Sequence, residues 1–89
     1  MMLENPIIGD IIGITGVFII VVAYILMQID RMDPKGFLFS LLNTIGAIFI
    51  LVSLLYDWNL ASFVMEVIWL TLSFYGTIRG YKKIEKAKD

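Results

Sequence analysis

Residues 11–29, IIGITGVFIIVVAYILMQI, decide the fold class because this stretch contains no charged side chain. Two further stretches have the same character. Residues 36–56 are uncharged, and residues 58–78 contain one ionisable carboxyl, that of Glu66. A helix needs about 20 apolar residues to cross the roughly 30 Å hydrocarbon layer of a bilayer. Each stretch is close to that length, so the sequence predicts an all-α membrane protein with three transmembrane helices.

The composition agrees with this prediction. Of 89 residues, 60% are hydrophobic and 17% are charged, and the mean hydropathy is +0.88. Soluble domains average about 45–50% apolar and about 25% charged residues, and a soluble chain this short has too little interior to bury such an excess. Cysteine and histidine are absent from the sequence. We therefore expect no disulfide, no Cys- or His-ligated metal and no Ser-His-Asp triad. No base with an orienting partner, phosphate loop or metal-ligand cluster is recognisable in the sequence, so we also expect no metal site, no cofactor, no catalytic residue and no enzyme activity. The net charge of −1 offers no surface for nucleic acid.

The whole chain, residues 1–89, is predicted to form a single domain. Asn5-Pro6 and Asp33-Pro34 each resemble an N-cap followed by proline at the first helical position. Asp57 or Asn59 is expected to cap the third helix. The connections are so short that consecutive helices should be antiparallel neighbours. The predicted helices cover about residues 7–29, 35–56 and 59–79, followed by a short basic cytoplasmic tail at residues 80–89.

The orientation follows from the positions of Lys and Arg, which concentrate on the cytoplasmic side of membrane proteins. The N-terminus and the second turn share one side and carry no basic residue. Because residues 1–6 also lack the basic start of a signal peptide, we expect the first helix to remain in the mature protein. The sequence predicts a multi-pass protein of the cytoplasmic (inner) membrane with its N-terminus outside and its C-terminus inside. All seven basic residues fall on the inner side: Arg31, Lys35, Arg79, Lys82, Lys83, Lys86 and Lys88.

Three polar or aromatic residues within the predicted spans are candidate substrate-binding residues: Glu66, Asn43 and Trp69. No span contains Lys or Arg to neutralise Glu66, so its carboxyl must be protonated, meet water, or share a hydrogen bond. It either binds a ligand or carries protons, or it is a neutral acid that joins helices or lies at an oligomer contact. Asn43 serves either a binding site or helix–helix adhesion. Trp69, one helical turn from Glu66, serves as an aromatic platform or as packing.

Small residues form a stripe on the first helix. Gly9, Gly13 and Gly16 lie on one face of it, and Gly46 lies on the face of the second helix that carries its small and polar residues. Gly9 and Gly13 make a G-x-x-x-G pair, which lets two helix backbones approach closely. These four glycines are expected to serve helix packing, and the alternative is a hinge or a backbone that lines a cavity.

Four segments carry a resemblance to known proteins: AYIL at residues 23–26, LLNTIGA at 41–47, EVIW at 66–69 and FYG at 74–76. Together they resemble a family of small bacterial inner-membrane proteins of unknown function with a three-span domain. More distantly, the chain resembles the SemiSWEET half-transporters of the PQ-loop group. That resemblance implies three-helix protomers that dimerise around a solute pathway, with Glu66 at the position of a pocket Asn. Ile50 stands where that family has a pocket Trp. The family's Pro-Gln hinge is represented only by Gln28, which no proline directly precedes.

Three functions fit the sequence. The first is a symmetric dimeric half-transporter for a small polar solute, whose pathway is lined by Glu66, Asn43 and Trp69. The second is a structural or accessory membrane protein in which these residues only join helices. The third is a holin-like pore former, since three spans, an outer N-terminus and a basic inner tail also describe such proteins. The expected partners are the lipid bilayer, a second copy of the chain and the solute, and not nucleic acid.

Overall fold

The regular secondary structure of the described residues is entirely α-helical. The structure is a computed structural model that describes residues 5–88. Its elements in chain order are α1, Pro6–Gln28, α2, Phe37–Ser53, and α3, Leu60–Lys88. This confirms the predicted all-α class and the number of helices.

Asparagine side chains cap two of the helices. The Asn5 Oδ1 accepts a hydrogen bond from the Ile7 backbone N–H at 3.1 Å, directly before α1. The Asn59 Oδ1 accepts from the Ser62 N–H at 2.9 Å, so Asn59 rather than Asp57 caps α3. The preceding Trp58 packs on Phe63 with ring centroids 5.0 Å apart. This contact across the cap fixes the direction in which the chain enters α3.

The first helix ends in a left-handed turn. Asp30 has a φ of 62°, and its N–H donates to the Met27 carbonyl at 3.2 Å, while the Arg31 N–H donates to the Leu26 carbonyl at 2.8 Å. This pair of bonds is the Schellman arrangement that satisfies the last carbonyls of a helix. It reverses the chain towards α2.

The second helix starts later and ends earlier than the predicted residues 35–56. The Asp33 Oδ1 accepts from the Lys35 N–H at 2.9 Å, and the Asp33 carbonyl accepts from the Gly36 N–H at 2.9 Å. Asp33-Pro34 therefore closes a turn instead of capping α2, which begins at Phe37. With 17 residues, α2 is about 26 Å long. By length and composition, α1 and α3 are long and apolar enough to cross a membrane, and α2 is a shorter apolar helix.

The third helix does not end near residue 79 as predicted. It has 29 residues and continues to Lys88, so the predicted basic tail is its last turns. Lys, Glu and Ala have high helix propensity, residues 79–88 contain no proline, and lysines near a helix C-terminus interact favourably with the helix dipole.

The second helix lies between the other two. Within residues 5–88, α2 packs against both α1 and α3, whereas α1 and α3 have no pair of Cα atoms within 8 Å of each other. Gly16 of α1 faces Gly46 of α2, and Gly80 of α3 faces Phe37 of α2. Consecutive helices are thus antiparallel neighbours, as the short connections predict.

The helix contacts consist of small and polar residues, while the large apolar side chains point outwards. Ile14 and Phe18 are 68% and 67% exposed. Of the most apolar part of each long helix, only 11% in α1 and 6% in α3 is buried. The interior of the described chain is formed by Ala23, Ser40, Asn43, Thr44, Ala47 and Leu54, together with glycines.

Candidate functional site

A groove runs between α1 and α3, and α2 forms its floor. It consists of two adjoining cavities of about 790 Å³ and about 210 Å³, which share Ile20, Val21 and Trp69 in their walls. The larger cavity extends towards the basic end of the molecule, where Arg79 lines it. The smaller cavity contains Glu66. We call the two together the α1–α3 groove.

Two of the three candidate residues are hydrogen-bonded to each other. The Trp69 indole N–H of α3 donates to the Asn43 Oδ1 of α2 at 3.2 Å. The Asn43 Nδ2 donates to the Phe39 carbonyl one turn earlier in its own helix at 2.9 Å. Asn43 is only 3% exposed, whereas Trp69 is 39% exposed and lies in both cavities. The pair therefore forms part of the groove wall, with the ring of Trp69 partly open to it.

Glu66 lies one turn from Trp69 in the smaller cavity. Its Oε1 is buried and has no hydrogen-bond partner among the described residues. The other residues around this cavity are apolar apart from Trp69: Val17, Ile20, Val21, Ile50 and Met65. The smaller cavity thus has a single carboxyl group in its wall, and one oxygen of that group is enclosed by protein without a hydrogen bond.

The end of the groove nearest Arg79 contains further polar groups. The Gln28 Nε2 donates to the Tyr24 hydroxyl at 2.7 Å on α1. Tyr24 and Arg79 lie in the walls of the same cavity, from α1 and α3 respectively. Ser40 and Ser73 line it from α2 and α3. Polar side chains therefore occur along the groove from Glu66 to Arg79.

Threonine and glycine residues fix α3 against α2. The Thr44 and Thr77 hydroxyls lie 3.1 Å apart across the two helices, and each also lies within hydrogen-bond distance of a carbonyl of its own helix. Because each hydroxyl has one proton, one threonine donates to the other, which donates to its own carbonyl. A Cβ at Gly76 would lie 2.5 Å from the Ser40 Oγ. The Thr44–Thr77 pair is not predictable from the sequence, because its two members lie 33 positions apart on different helices. Its only signal was that Thr44 is adjacent to Asn43 on the helix surface that carries small residues.

The glycine stripe of α1 faces α2. A Cβ at Gly16 would lie 2.6 Å from the Gly46 carbonyl oxygen, and one at Gly46 would lie 2.8 Å from the Gly16 carbonyl oxygen. Gly13 faces the Ser53 Oγ, and that hydroxyl donates to the Gly9 carbonyl at 2.9 Å. These close approaches hold α1 against α2. Because α1 makes no such approach to α3, the groove between α1 and α3 stays open.

A family model matches residues 9–84, which include all of α2, most of α1 and α3, and the groove. The chain belongs to an uncharacterised protein family. The match agrees with the predicted membership of such a family.

No curated protein and no solved structure matches the chain. The comparisons therefore give no support to the predicted resemblance to the SemiSWEET half-transporters. What the groove does must be inferred from its residues alone.

Proposed function

We propose that the protein is an integral membrane protein of the cytoplasmic membrane that all three helices cross. The observation that supports a membrane location is the distribution of side chains. Small and polar residues occupy the helix contacts, and large apolar residues such as Ile14 and Phe18 are exposed. In membranes, small residues at helix contacts allow close packing, while apolar side chains face lipid. In water, the same surface would greatly exceed the apolar patches that soluble monomers expose.

The short helix α2 fits this proposal. Its roughly 26 Å is only slightly less than the hydrocarbon thickness, and spans range down to about 17 residues. It packs between the two longer helices, which shield much of it from lipid. A backbone at this depth needs the internal hydrogen bonds that a helix supplies.

The orientation we propose is N-terminus outside and C-terminus inside. The supporting observation is the separation of charges between the two ends of the helix bundle. The first turn and the end of α3 lie at one end and contain every Lys and Arg of the sequence. Asp10 and Asp57 lie towards the other end. A basic cytoplasmic side is the usual arrangement in such proteins.

We further propose that the α1–α3 groove is half of a pathway for a small polar solute and that two copies of the chain close it. The Glu66 Oε1, buried and without a partner in the described chain, is the observation on which this proposal depends most. Glu66 shares its cavity with Val17, the middle residue of α1. A carboxyl near the middle of a membrane is costly, and such groups mark solute or proton pathways. Glu66 would accept a hydrogen bond from the solute or carry a proton, and Trp69 would contact the solute's apolar face.

A symmetric homodimer gives the groove a second wall. In one chain α1 and α3 stay apart, so lipid would otherwise reach the polar groups between them. Two-fold symmetry is the commonest arrangement of homo-oligomers, and it would place the two grooves face to face.

A structural or accessory role is the second candidate, and Asn43 is the observation that favours it. Both ends of the Asn43 amide are hydrogen-bonded within the chain, so this residue needs no solute to be satisfied. If Glu66 likewise only joins two copies of the chain through a protonated carboxyl, the groove carries no solute.

Cysteine accessibility distinguishes the two candidates, because the chain contains no cysteine of its own. Glu66→Cys should react in membranes with a small hydrophilic methanethiosulfonate reagent. Ile68→Cys is the matched control, since it lies two residues away in α3 and its side chain is 56% exposed on the outer surface. Reaction at position 66 alone would indicate a water-filled pathway. If neither position reacts, the half-transporter proposal fails and the structural role remains.

The dimer has its own test. The mass of the protein in nanodiscs should correspond to two chains, and a single chain across several lipids and detergents would contradict the proposal. A holin-like protein would instead form large assemblies and lyse the expressing cells at a fixed time after induction. We expect neither behaviour.

A further inference from the structure

The last turns of α3 extend beyond the other two helices. A Cβ at Gly80 would lie 2.6 Å from the Cα of Phe37, the first residue of α2. The third helix therefore passes the end of α2 near Gly80. It continues to Lys88, about 12 Å further at 1.5 Å per residue. The basic side chains after Gly80 therefore lie beyond the contact between α2 and α3, and they are attached to a helix rather than to an irregular tail.

A shallow cavity of about 310 Å³ lies along one face of this extension. Its lining residues recur every three to four positions, singly or as adjacent pairs, which places them along one side of the helix. Glu85 is the acidic residue of the segment 75–87, and it does not line the cavity. The lining, which we call the basic face, consists of Tyr75, Ile78, Arg79, Lys82, Lys83 and Lys86.

The basic face changes character along the helix. Tyr75 and Ile78 are 63% and 41% exposed and lie nearer the apolar part of α3. The cations follow towards its C-terminus. At the boundary, the Arg79 Cζ lies 5.7 Å from the centroid of the Tyr75 ring. This cation–π contact positions the guanidinium, whose planar set of N–H donors matches the oxygens of a phosphate group.

We propose that the basic face binds an anionic phospholipid of the cytoplasmic leaflet. The phosphate lies against Arg79 and the lysines, and an acyl chain lies along Tyr75 and Ile78. Charge complementarity supports this occupant, since four cations line the cavity and no carboxylate does. The order of the groups supports a lipid over a free anion, because apolar contacts come before the charges in the direction from membrane to water. Basic clusters directly after a span attract anionic lipid in this way. The proposal rests on the membrane location and orientation inferred above, but not on solute transport.

Lipid retention by the full-length chain tests the proposal. Native mass spectrometry from a mild detergent would compare phosphatidylglycerol with phosphatidylcholine as added lipid. We expect preferential retention of phosphatidylglycerol. The variant K82Q/K83Q/K86Q should lower its affinity on the order of 100-fold, at about fivefold for each cation removed. Gln preserves helix propensity, and these positions are exposed, so the fold should be unaffected.

Two control variants separate a site from bulk charge. K82R/K83R/K86R keeps the charges and should retain the lipid. R31Q/K35Q removes two cations of the first turn at the same end of the molecule and should change retention little. An equal loss in R31Q/K35Q would overturn the proposal, because any basic residue would then suffice.

Further outcomes decide the nature of the ligand. Displacement of the lipid by a large excess of inorganic phosphate would show a free-anion site and overturn the proposal. Equal retention of the two lipids would also overturn it, while the membrane location would stand. A chain that does not enter lipid bilayers at all would refute the membrane location as well. The reactivity of Glu66→Cys in membranes is independent of the results on lipid retention.

Discussion

The indole N–H of Trp69 donates to the side-chain oxygen of Asn43, which joins the first half of α3 to α2 within the wall of the groove. The bond uses a side chain that is almost fully buried and one that is partly open to the groove. Separation of α3 from α2 would break it. The Trp69–Asn43 pair therefore couples the shape of the groove to the packing of these helices.

A double-mutant cycle measures this coupling. Trp69→Phe removes the N–H donor, and Asn43→Leu removes the acceptor at similar volume. We expect a coupling free energy of about 0.6 kcal/mol, and at most about 1.7 kcal/mol, as found for hydrogen bonds between membrane helices. Equilibrium unfolding in mixed SDS and maltoside micelles, followed by circular dichroism, gives the four free energies.

The control cycle pairs Trp58→Phe with Asn43→Leu. Trp58 packs on Phe63 at the start of α3, whereas Asn43 bonds to α3 further along that helix, at Trp69. The two changes should therefore be additive within about 0.5 kcal/mol. A coupling as large as that of Trp69 would show that the value does not come from the hydrogen bond.

The sequence predicts the helices well because their cause is local. Uncharged stretches long enough to cross a membrane leave the backbone no choice but a helix, and the Asn5 cap follows from its position before Pro6. The ends of α2 and α3 depend on finer balances. Asp33-Pro34 suits a helix start and a tight turn equally well, and the Gly36 N–H bond to Asp33 decides for the turn.

The site is only partly predictable for a different reason. Helical spacing places Glu66 and Trp69 on one face of α3 without any structure. The pairing of Trp69 with Asn43, and the gap between α1 and α3, depend on how each helix is rotated and shifted against α2. In a water-soluble protein an apolar stripe would reveal that rotation. Here nearly every face is apolar, and close contacts such as Gly16 with Gly46 set it instead.

Substitution of Gly16 tests whether close approach holds α1 in place. The added Cβ of Gly16→Ala would lie 2.6 Å from a backbone oxygen of α2, which cannot rotate away. Overpacking of this kind typically costs about 1–3 kcal/mol, against a gain of up to about 1 kcal/mol in helix propensity. With the full gain in helix propensity, the free energy of unfolding should fall by about 1 kcal/mol, within a range of about 0–2 kcal/mol, measured in the same mixed micelles.

Gly13→Ala is the matched control, because it brings the same gain in helix propensity. Its Cβ would meet the Ser53 Oγ at 2.6 Å, and this side chain can change its rotamer, although it would then lose its bond to the Gly9 carbonyl. Gly16→Ala should therefore be the more destabilised variant. The reverse order would mean that the Gly16–Gly46 contact does not limit the packing.

Position 30 tests the left-handed end of α1. Asp30 adopts a φ of 62°, which costs an ordinary L-residue roughly 1–2 kcal/mol and glycine almost nothing. Asp30→Ala should therefore be less stable than Asp30→Gly by about 1 kcal/mol. At the neighbouring Arg31, whose φ is not positive, alanine should be at least as stable as glycine. Thermal unfolding of the four variants in one detergent would show both orders, and an identical order at the two positions would contradict the Schellman assignment.

The proposed topology can be tested with single cysteines in the cysteine-free chain. Asp57 is exposed in the second turn and does not cap α3, so Asp57→Cys should leave the fold intact. Lys86→Cys lies on the exposed extension of α3 at the opposite end of the molecule. In intact cells, an impermeant maleimide should label position 57 and not position 86, because all basic residues would then face the cytoplasm. After permeabilisation both positions should be labelled to the same extent. Labelling of position 86 alone in intact cells would show that the topology is the reverse of the one proposed. The basic face of α3 would then lie at the outer leaflet and not at the cytoplasmic one.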